Sequence, residues 1–362
     1  MPSVPRHQDG PSSPATDGGL HVIPVTRLPE VSSGMDLGTA LVAALHEGVG
    51  LHDGDVVCVS TKIVSKARGL VVDPAQKDAA LRRATTRLVA RRRHGSVITS
   101  VVETVSGPVM AAAGIDASNS PNGLLTLPED PDAEAATLRQ ALEEAFGVRV
   151  GVVLTDTVSR IWRFGASDIA LGASGLAALQ DLRGTDDTRG RRMIVTVRAL
   201  ADECAAAADL VKGKTAGVPA AVLRGLPGEV VHGPEVSGRE LNRVGPDDWF
   251  RRPSLESVWH ALGIPLEEEP VAQMDPEADE VRLTRALDVA SRGVADARLE
   301  RVECTPTGES ILLRIVPVAS GAAGWVAAGA LRERVLSALR AEEFTGPLPP
   351  IEVHLASEEG AR

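Results

Sequence analysis

Val148-Arg149-Val150-Gly151-Val152-Val153-Leu154-Thr155-Asp156-Thr157 is the stretch on which the fold turns. Gly147 ends the helix expected over Ala133 to Phe146, and the aliphatic run Val148 to Leu154 reads as a strand buried on both faces. That strand delivers Asp156, between two threonines, to its end. A second carboxylate, Asp116 in Gly114-Ile115-Asp116-Ala117-Ser118-Asn119, falls where Met110 to Gly114 leads out of the preceding segment. Carboxylates beside hydroxyls and an amide are the hard oxygen donors that Mg²⁺ or Mn²⁺ prefers, and such ions usually serve phosphates. The chain therefore reads first as a nucleotide-using enzyme.

Outward from this strand, His21 to Val25 reads as a strand, Leu37 to Glu47 as an amphipathic helix and Asp55 to Ser60 as a buried strand behind the turn Asp53-Gly54. An Arg-rich helix is expected over Arg82 to Arg93, then a strand over Ser96 to Val105. Beyond Asp156 the pattern gives a strand over Met193 to Val197, an Ala-rich helix over Ala199 to Lys212 and a strand over Ala220 to Arg224. A boundary is expected near Pro246 to Pro253, and Glu267 to Glu280 resembles a linker or surface excursion. The remainder offers a helix over Leu283 to Ala290, a hairpin of Arg298 to Cys304 with Ser310 to Val316, a helix over Trp325 to Leu339 and a strand over Ile351 to Leu355.

Composition narrows the function. The chain has 362 residues, enough for two or three cores, and aromatics are only 2%, so the core is aliphatic and base-stacking platforms are disfavoured. A net charge of −11, from 49 acids against 38 bases, disfavours nucleic-acid binding. The Arg82 to Arg93 cluster is either a solvated face whose stems cover the core or a patch near an anionic ligand or subunit contact. Cys58, Cys204 and Cys304 have no metal or disulfide spacing and fit a reducing cytoplasm; Cys58 reads as a small buried hydrophobe. Residues 1–20 read as a disordered tail without a signal sequence, and no apolar run approaches a membrane span.

Several polar motifs point to phosphate. Thr61-Lys62-Ile63-Val64-Ser65-Lys66 places hydroxyls and two ammonium groups directly after a strand, where α/β proteins often hold phosphates. Ser159-Arg160-Ile161-Trp162-Arg163-Phe164-Gly165 places two guanidinium groups just after Asp156. Arg160 and Arg163 would clamp phosphate or carboxylate oxygens bidentately, or else pair with acids such as Asp168 and fix the loop. Asp181, Arg183, Gly184 and Asp187 punctuate a loop too long for a tight hairpin. Gly213-Lys214-Thr215 is not a Walker motif, because Ala208 stands in place of its first glycine and the run closes a helix.

Leu28-Pro29-Glu30-Val31, Thr61 to Lys66, Gly114 to Asn119, Thr155-Asp156-Thr157, Arg160 to Gly165, the Arg183-Gly184 loop and Val211 to Pro219 follow the order found in coenzyme F420-0:L-glutamate ligases. Over about residues 24 to 232 the chain resembles that family. The resemblance implies an α+β fold, with a mixed-sheet, two-lobed ligase domain over 21–250; the pattern of the remaining residues reads as a separate small α/β unit over 251–362. It implies an enzyme using GTP as co-substrate and Mg²⁺ or Mn²⁺, with K⁺ as a further ion. Such an enzyme joins L-glutamate to the lactyl carboxylate of a deazaflavin precursor and extends a γ-glutamyl tail, and the family's substrate groove lies between the subunits of a homodimer. The chemistry is coherent: a carboxylate is a poor electrophile until phosphorylated, and phosphoryl transfer needs cations where charge accumulates.

By motif match, Asp116, Asp156 and Thr157 correspond to metal ligands, and Leu28, Pro29, Glu30, Val31, Thr61, Lys66 and Asn119 to nucleotide contacts. Lys212, Gly213, Lys214, Thr215 and Gly217 belong to a segment that closes over the nucleotide. In some relatives a Gln or Glu there reaches a second metal; Lys214 takes that place, which disfavours a second metal through this position. Arg160 and Arg163 are the candidates for clamping the acyl phosphate or the deazaflavin phosphodiester. Two departures stand out. Val105 and Ser106 replace an Arg-His pair common in relatives, which leaves open a different carboxylate and amine as substrates, a weakened enzyme, or a surface role for the missing pair; a non-catalytic nucleotide-binding paralogue is the remaining alternative, disfavoured by the retention of Asp116, Asn119, Asp156, Thr157 and Lys66. The last about 110 residues are too few for the flavin-binding domain of two-domain relatives and lack its Arg-rich opening, so no flavin is expected there.

Overall fold

In the computed structural model, the described residues are 19–116, 123–243, 255–273, 277–302, 311–343 and 346–355. Asn119, Cys304, the boundary at Pro246 to Pro253 and all but the end of the N-terminal tail lie outside them. The architecture is α+β, and the chain divides into two compact units: 1–89 with 101–248, and 90–100 with 249–362.

The first unit is organised on a five-stranded sheet in the order His21–Pro24, Ala220–Arg224, Val56–Ser60, Gly151–Ser159, Ala166–Ser174. Val56–Ser60 and Gly151–Ser159 run parallel at its centre, and the other neighbours are antiparallel. Side-chain alternation splits the aliphatic run between two cores. Val57, Val59, Val152 and Leu154 face the helices Leu37–His46 and Pro131–Phe146, whereas Val56, Cys58 and Val153 face the helix Leu200–Lys212. Each helix supplies a small-aliphatic stripe at helical spacing: Leu37, Leu41, Ala44 and Leu45 on one, Ala201, Cys204, Ala205 and Ala208 on another. Cys58 is fully buried in this packing, and its thiol is pushed well up, chiefly by burial.

The central strand differs from expectation at both ends. It begins at Gly151 and runs on to Ser159, so Asp156 and Thr157 sit inside it rather than past its end. Ala166–Ser174 holds this polar half extended, pairing Asp156 with Ile169 and Thr157 with Asp168, and a register shift between Leu154 and Thr155 re-aims the side chains that follow. Gly172 lets this partner strand press against the start of the helix Pro131–Phe146. A Cβ there would meet the Pro131 carbonyl carbon at 2.3 Å. Gly172→Ala is therefore expected to lower unfolding stability by about 2–3 kcal/mol, seen as a lower urea midpoint; an unchanged midpoint would mean the two elements do not touch.

Arg82 to Arg93 is not one helix. Arg82 and Arg83 close a short helix, Lys77–Arg83, and Arg87 and Arg91 to Arg93 lie on a strand, Thr85–His94, that pairs with Val97–Thr104. The β-branched Thr85, Thr86 and Val89 and the run Val97 to Thr104 favour a ladder over arginine's helical preference. Arg87 ion-pairs with Glu103 at 2.8 Å, so its charge is matched across the hairpin. Met193 to Val197 is not a strand either. Val197–Arg198 forms a short ladder with Gln180–Asp181 and Met193 exchanges backbone hydrogen bonds with Gly184 and Thr185, but Ile194 and Val195 between them stand exposed.

The second unit packs the helices Asp279–Ser291 and Gly321–Glu342 on the strands Ala297–Val302, Ile311–Pro317 and Ile351–Leu355. Leu283, Ala286, Leu313, Ile315, Leu331 and Val335 form its core. Glu267 to Glu280 is less of a linker than its composition suggests. Glu269 and Ala272 are buried, and Ala272–Gln273 pairs with Arg92 and Arg93.

Candidate active site

The carboxyl ends of the two parallel strands open into a cleft of about 640 Å³. Leu28, Pro29, Glu30 and Val31 form one wall, and the helix Thr61–Ala67 contributes Lys62 and Lys66. Asp156 and Thr157 come from the central strand, Asp168 from its antiparallel partner. Lys212, Gly213, Lys214, Thr215 and Gly217 close the cleft where the helix Leu200–Lys212 ends. Stretches separated by more than 180 residues thus share one space. They include every described residue matched to a nucleotide contact except Thr61.

Thr61 lies beneath the cleft floor. It is fully buried, and its hydroxyl donates to the Thr155 carbonyl at 3.1 Å, tying the helix start to the central strand. Arg160 and Arg163 stand exposed on the turn between Gly151–Ser159 and Ala166–Ser174 and do not line the cleft. They do not pair with Asp168, whose partners lie elsewhere. Arg183 folds back on Asp181 at 2.5 Å and pins its own loop. Val105 is exposed and Ser106 is buried, its hydroxyl 3.0 Å from Thr104 Oγ1; neither borders the cleft.

Asp168 is the residue that the sequence did not assign to the site, yet it is the hub. Its Oδ2 accepts from Lys212 Nζ at 2.7 Å and from Thr155 Oγ1 at 3.0 Å, and its Oδ1 accepts from Thr157 Oγ1 at 2.6 Å. Lys212 also donates to Thr155 Oγ1 at 2.6 Å and is itself buried. Burial alone would raise the Asp168 pKa, but the Lys212 ammonium, the hydroxyl of Thr157 and the Lys214 ammonium outweigh it and hold the carboxyl below its usual range. The available signal was the register: Asp168 faces Thr157 across the ladder.

Asp156 has the opposite character. Burial pushes its carboxyl up to about 6, against the backbone N–H of Thr157 and the Lys62 ammonium, and the charges of Asp168 and Asp116 add to the rise. Asp116 is ion-paired with Lys62, and its backbone bridges to Leu125. Asp116 and Asp156 are thus close enough to repel. No group of three or more His, Cys, Asp or Glu side chains among the described residues is arranged to cage an ion. Two mutually repelling carboxylates and a hydroxyl nonetheless fit Mg²⁺ or Mn²⁺, which keep several positions for water and phosphate oxygens. Across the cleft Lys66 ion-pairs with Glu30 at 2.5 Å, leaving the walls rich in both charges.

Residues 26–225 match the model of the F420-0:Gamma-glutamyl ligase family. The chain belongs to this ligase family. Coenzyme F420:L-glutamate ligase of Methanothermobacter thermautotrophicus is 37% identical over 232 residues, 58% of this chain and 90% of that protein. The enzyme of the same name from Methanopyrus kandleri is 36% identical over 261 residues, 65% of this chain and 100% of that protein. That of Haloarcula marismortui is 37% identical over 265 residues, 67% and 97% respectively. The family match spans the whole ligase cleft from Leu28 to Pro219.

Proposed function

We propose that this ligase forms the amide between L-glutamate and the lactyl carboxylate of coenzyme F420-0, consuming GTP with Mg²⁺ or Mn²⁺. The observation that carries the reading is the convergence of the 28–31 wall, the Lys62 and Lys66 face, Asp156, Thr157 and the 212–217 loop on one cleft. A carboxylate oxygen of F420-0 takes the γ-phosphoryl group and GDP leaves. The glutamate amine then attacks the carbonyl carbon, loses a proton and expels inorganic phosphate. Asp116, Asp156 and Thr157 would hold a divalent ion, which when bound offsets charge on the phosphoryl oxygens. Lys62, Lys66 and Lys214 bring ammonium groups to the same charge-rich region. Arg160 and Arg163, standing outside the cleft, suit the remote phosphodiester of the deazaflavin better than the reacting phosphoryl group.

The same reading takes the working form to be a cytoplasmic homodimer, with K⁺ as an accessory ion and repeated addition building a γ-glutamyl tail. No helix among the described residues is long and apolar enough to cross a membrane. Incubating the protein with GTP, Mn²⁺, L-glutamate and F420-0 is expected to yield glutamylated product, GDP and phosphate in equal amounts, and chelating the metal with EDTA should abolish all three. Product only with another acid and amine would favour a related amide ligase, and no GTP consumption with any acceptor would favour a nucleotide-binding paralogue. The retention of Asp116, Asn119, Asp156, Thr157 and Lys66 weighs against the non-catalytic alternative.

A further inference from the structure

Three oxygen-bearing side chains from three elements close around one ammonium. Lys214 Nζ is hydrogen-bonded to Thr157 Oγ1 and lies 3.2 Å from Asp168 Oδ1 and 3.5 Å from Asp209 Oδ1. Two carboxylates and a hydroxyl converging from the central strand, its partner and the helix Leu200–Lys212 are the set a hard cation collects. A lysine ammonium is itself a compact point charge, on a flexible stem.

The chain around Lys214 is arranged to bring that charge to this point. Lys212 is locked under the site, holding Asp168 Oδ2 from within the core. Gly213 then adopts φ 61°, ψ −180°, a conformation that is essentially glycine's alone, and reverses the chain so that Lys214 returns over the other oxygen of the same carboxylate. Asp168 is thus matched by one ammonium from below and one from the cleft side. A metal ion and the ammonium cannot both occupy the space between Thr157, Asp168 and Asp209, because like charges at hydrogen-bond separation repel strongly.

We propose that Lys214 is a tethered cation: its ammonium fills the seat between Thr157, Asp168 and Asp209, so that the ligase carries one divalent ion fewer than its oxygen donors would accept. The proposal rests on the metal-dependent reading above but is tested apart from it. Mn²⁺ bound per chain is measured with GTP present, from the electron paramagnetic resonance signal of free Mn²⁺, for the parent, Lys214→Gln and Lys214→Arg. Lys214 is largely exposed, and circular dichroism checks that the variants fold. Lys214→Gln is expected to bind one Mn²⁺ more per chain than the parent, and Lys214→Arg, which keeps the charge, to match the parent. Equal counts in parent and Lys214→Gln, or a gain in Lys214→Arg as well, would overturn it. Asp156→Asn reports on the other site: an unchanged count there would count against the metal ligands named above and leave the Lys214 comparison standing.

Discussion

Asp156→Asn should lower ligase turnover by roughly three orders of magnitude, about 4 kcal/mol of transition-state stabilisation, while leaving the protein folded. The substitution preserves size and removes one formal charge from the place where a divalent ion would be held. The accompanying effect on stability has the opposite sign. The folded carboxyl of Asp156 titrates at about 6, raised by burial and then by Asp168 and Asp116, so its ionised form is less at ease in the fold than in the unfolded chain. Ionisation therefore costs stability: the cost is absent below the ordinary carboxylate range, grows as pH rises and is complete above about pH 6. Without divalent ions at pH 7, the thermal midpoint of Asp156→Asn should equal or exceed that of the parent, and the difference should vanish near pH 3. Turnover within threefold of the parent would remove Asp156 from the chemistry, and a collapsed midpoint would assign it a structural part instead.

The aliphatic run Val150 to Leu154 was legible because burial on both faces leaves no room for polar residues, and the sheet that follows from it places the cleft. The helices at Leu37, Pro131 and Leu200 were legible from their spacing and stops. What escaped were features set by partners rather than by local pattern. The strand Ala166–Ser174 has no counterpart among the expected elements, and without it the sequence pattern ends the central strand at Leu154. Arg87 to Arg93 carries helix-favouring side chains, yet pairing with Val97–Thr104 holds it extended. Ile194 and Val195 are apolar enough for a strand but find no ladder.

The site divides in the same way. Lys62 and Lys66, on the helix that directly follows a strand, and Asp156, in the polar half of the central strand, could be placed from sequence because the two strands run parallel and bring these segments together. Thr61 could not, because whether a hydroxyl at a helix start points into a cleft or back to the Thr155 carbonyl depends on the neighbouring strand. Asp168 was read only as a possible partner of the arginines nearby in sequence. Its actual partners, Lys212 and Lys214, are 44 and 46 residues away.

Lys212→Met is expected to be the most destabilising single change in the cleft. Lys212 and Asp168 are both almost fully buried, and their attraction persists because Thr155 and Thr157 satisfy the remaining hydrogen-bonding capacity. Methionine fills the space but leaves a buried carboxylate without its main counter-charge, a loss that in other proteins costs about 3–5 kcal/mol. Lys214 still faces Oδ1 from the solvent side, which places the expected cost near the lower end, about 3 kcal/mol, or a fall in thermal midpoint of roughly 6–12 °C for a unit of this size. Adding Asp168→Asn should restore much of that loss, because the unpaired charge is gone and the amide oxygen can still accept from Thr157. A double-mutant cycle should therefore show coupling of about 2 kcal/mol or more, and additive effects would mean that the pair is not held in solution. Turnover should not return with stability in the double variant, since the carboxylate that aligns Thr157 and draws Lys214 into the cleft is missing.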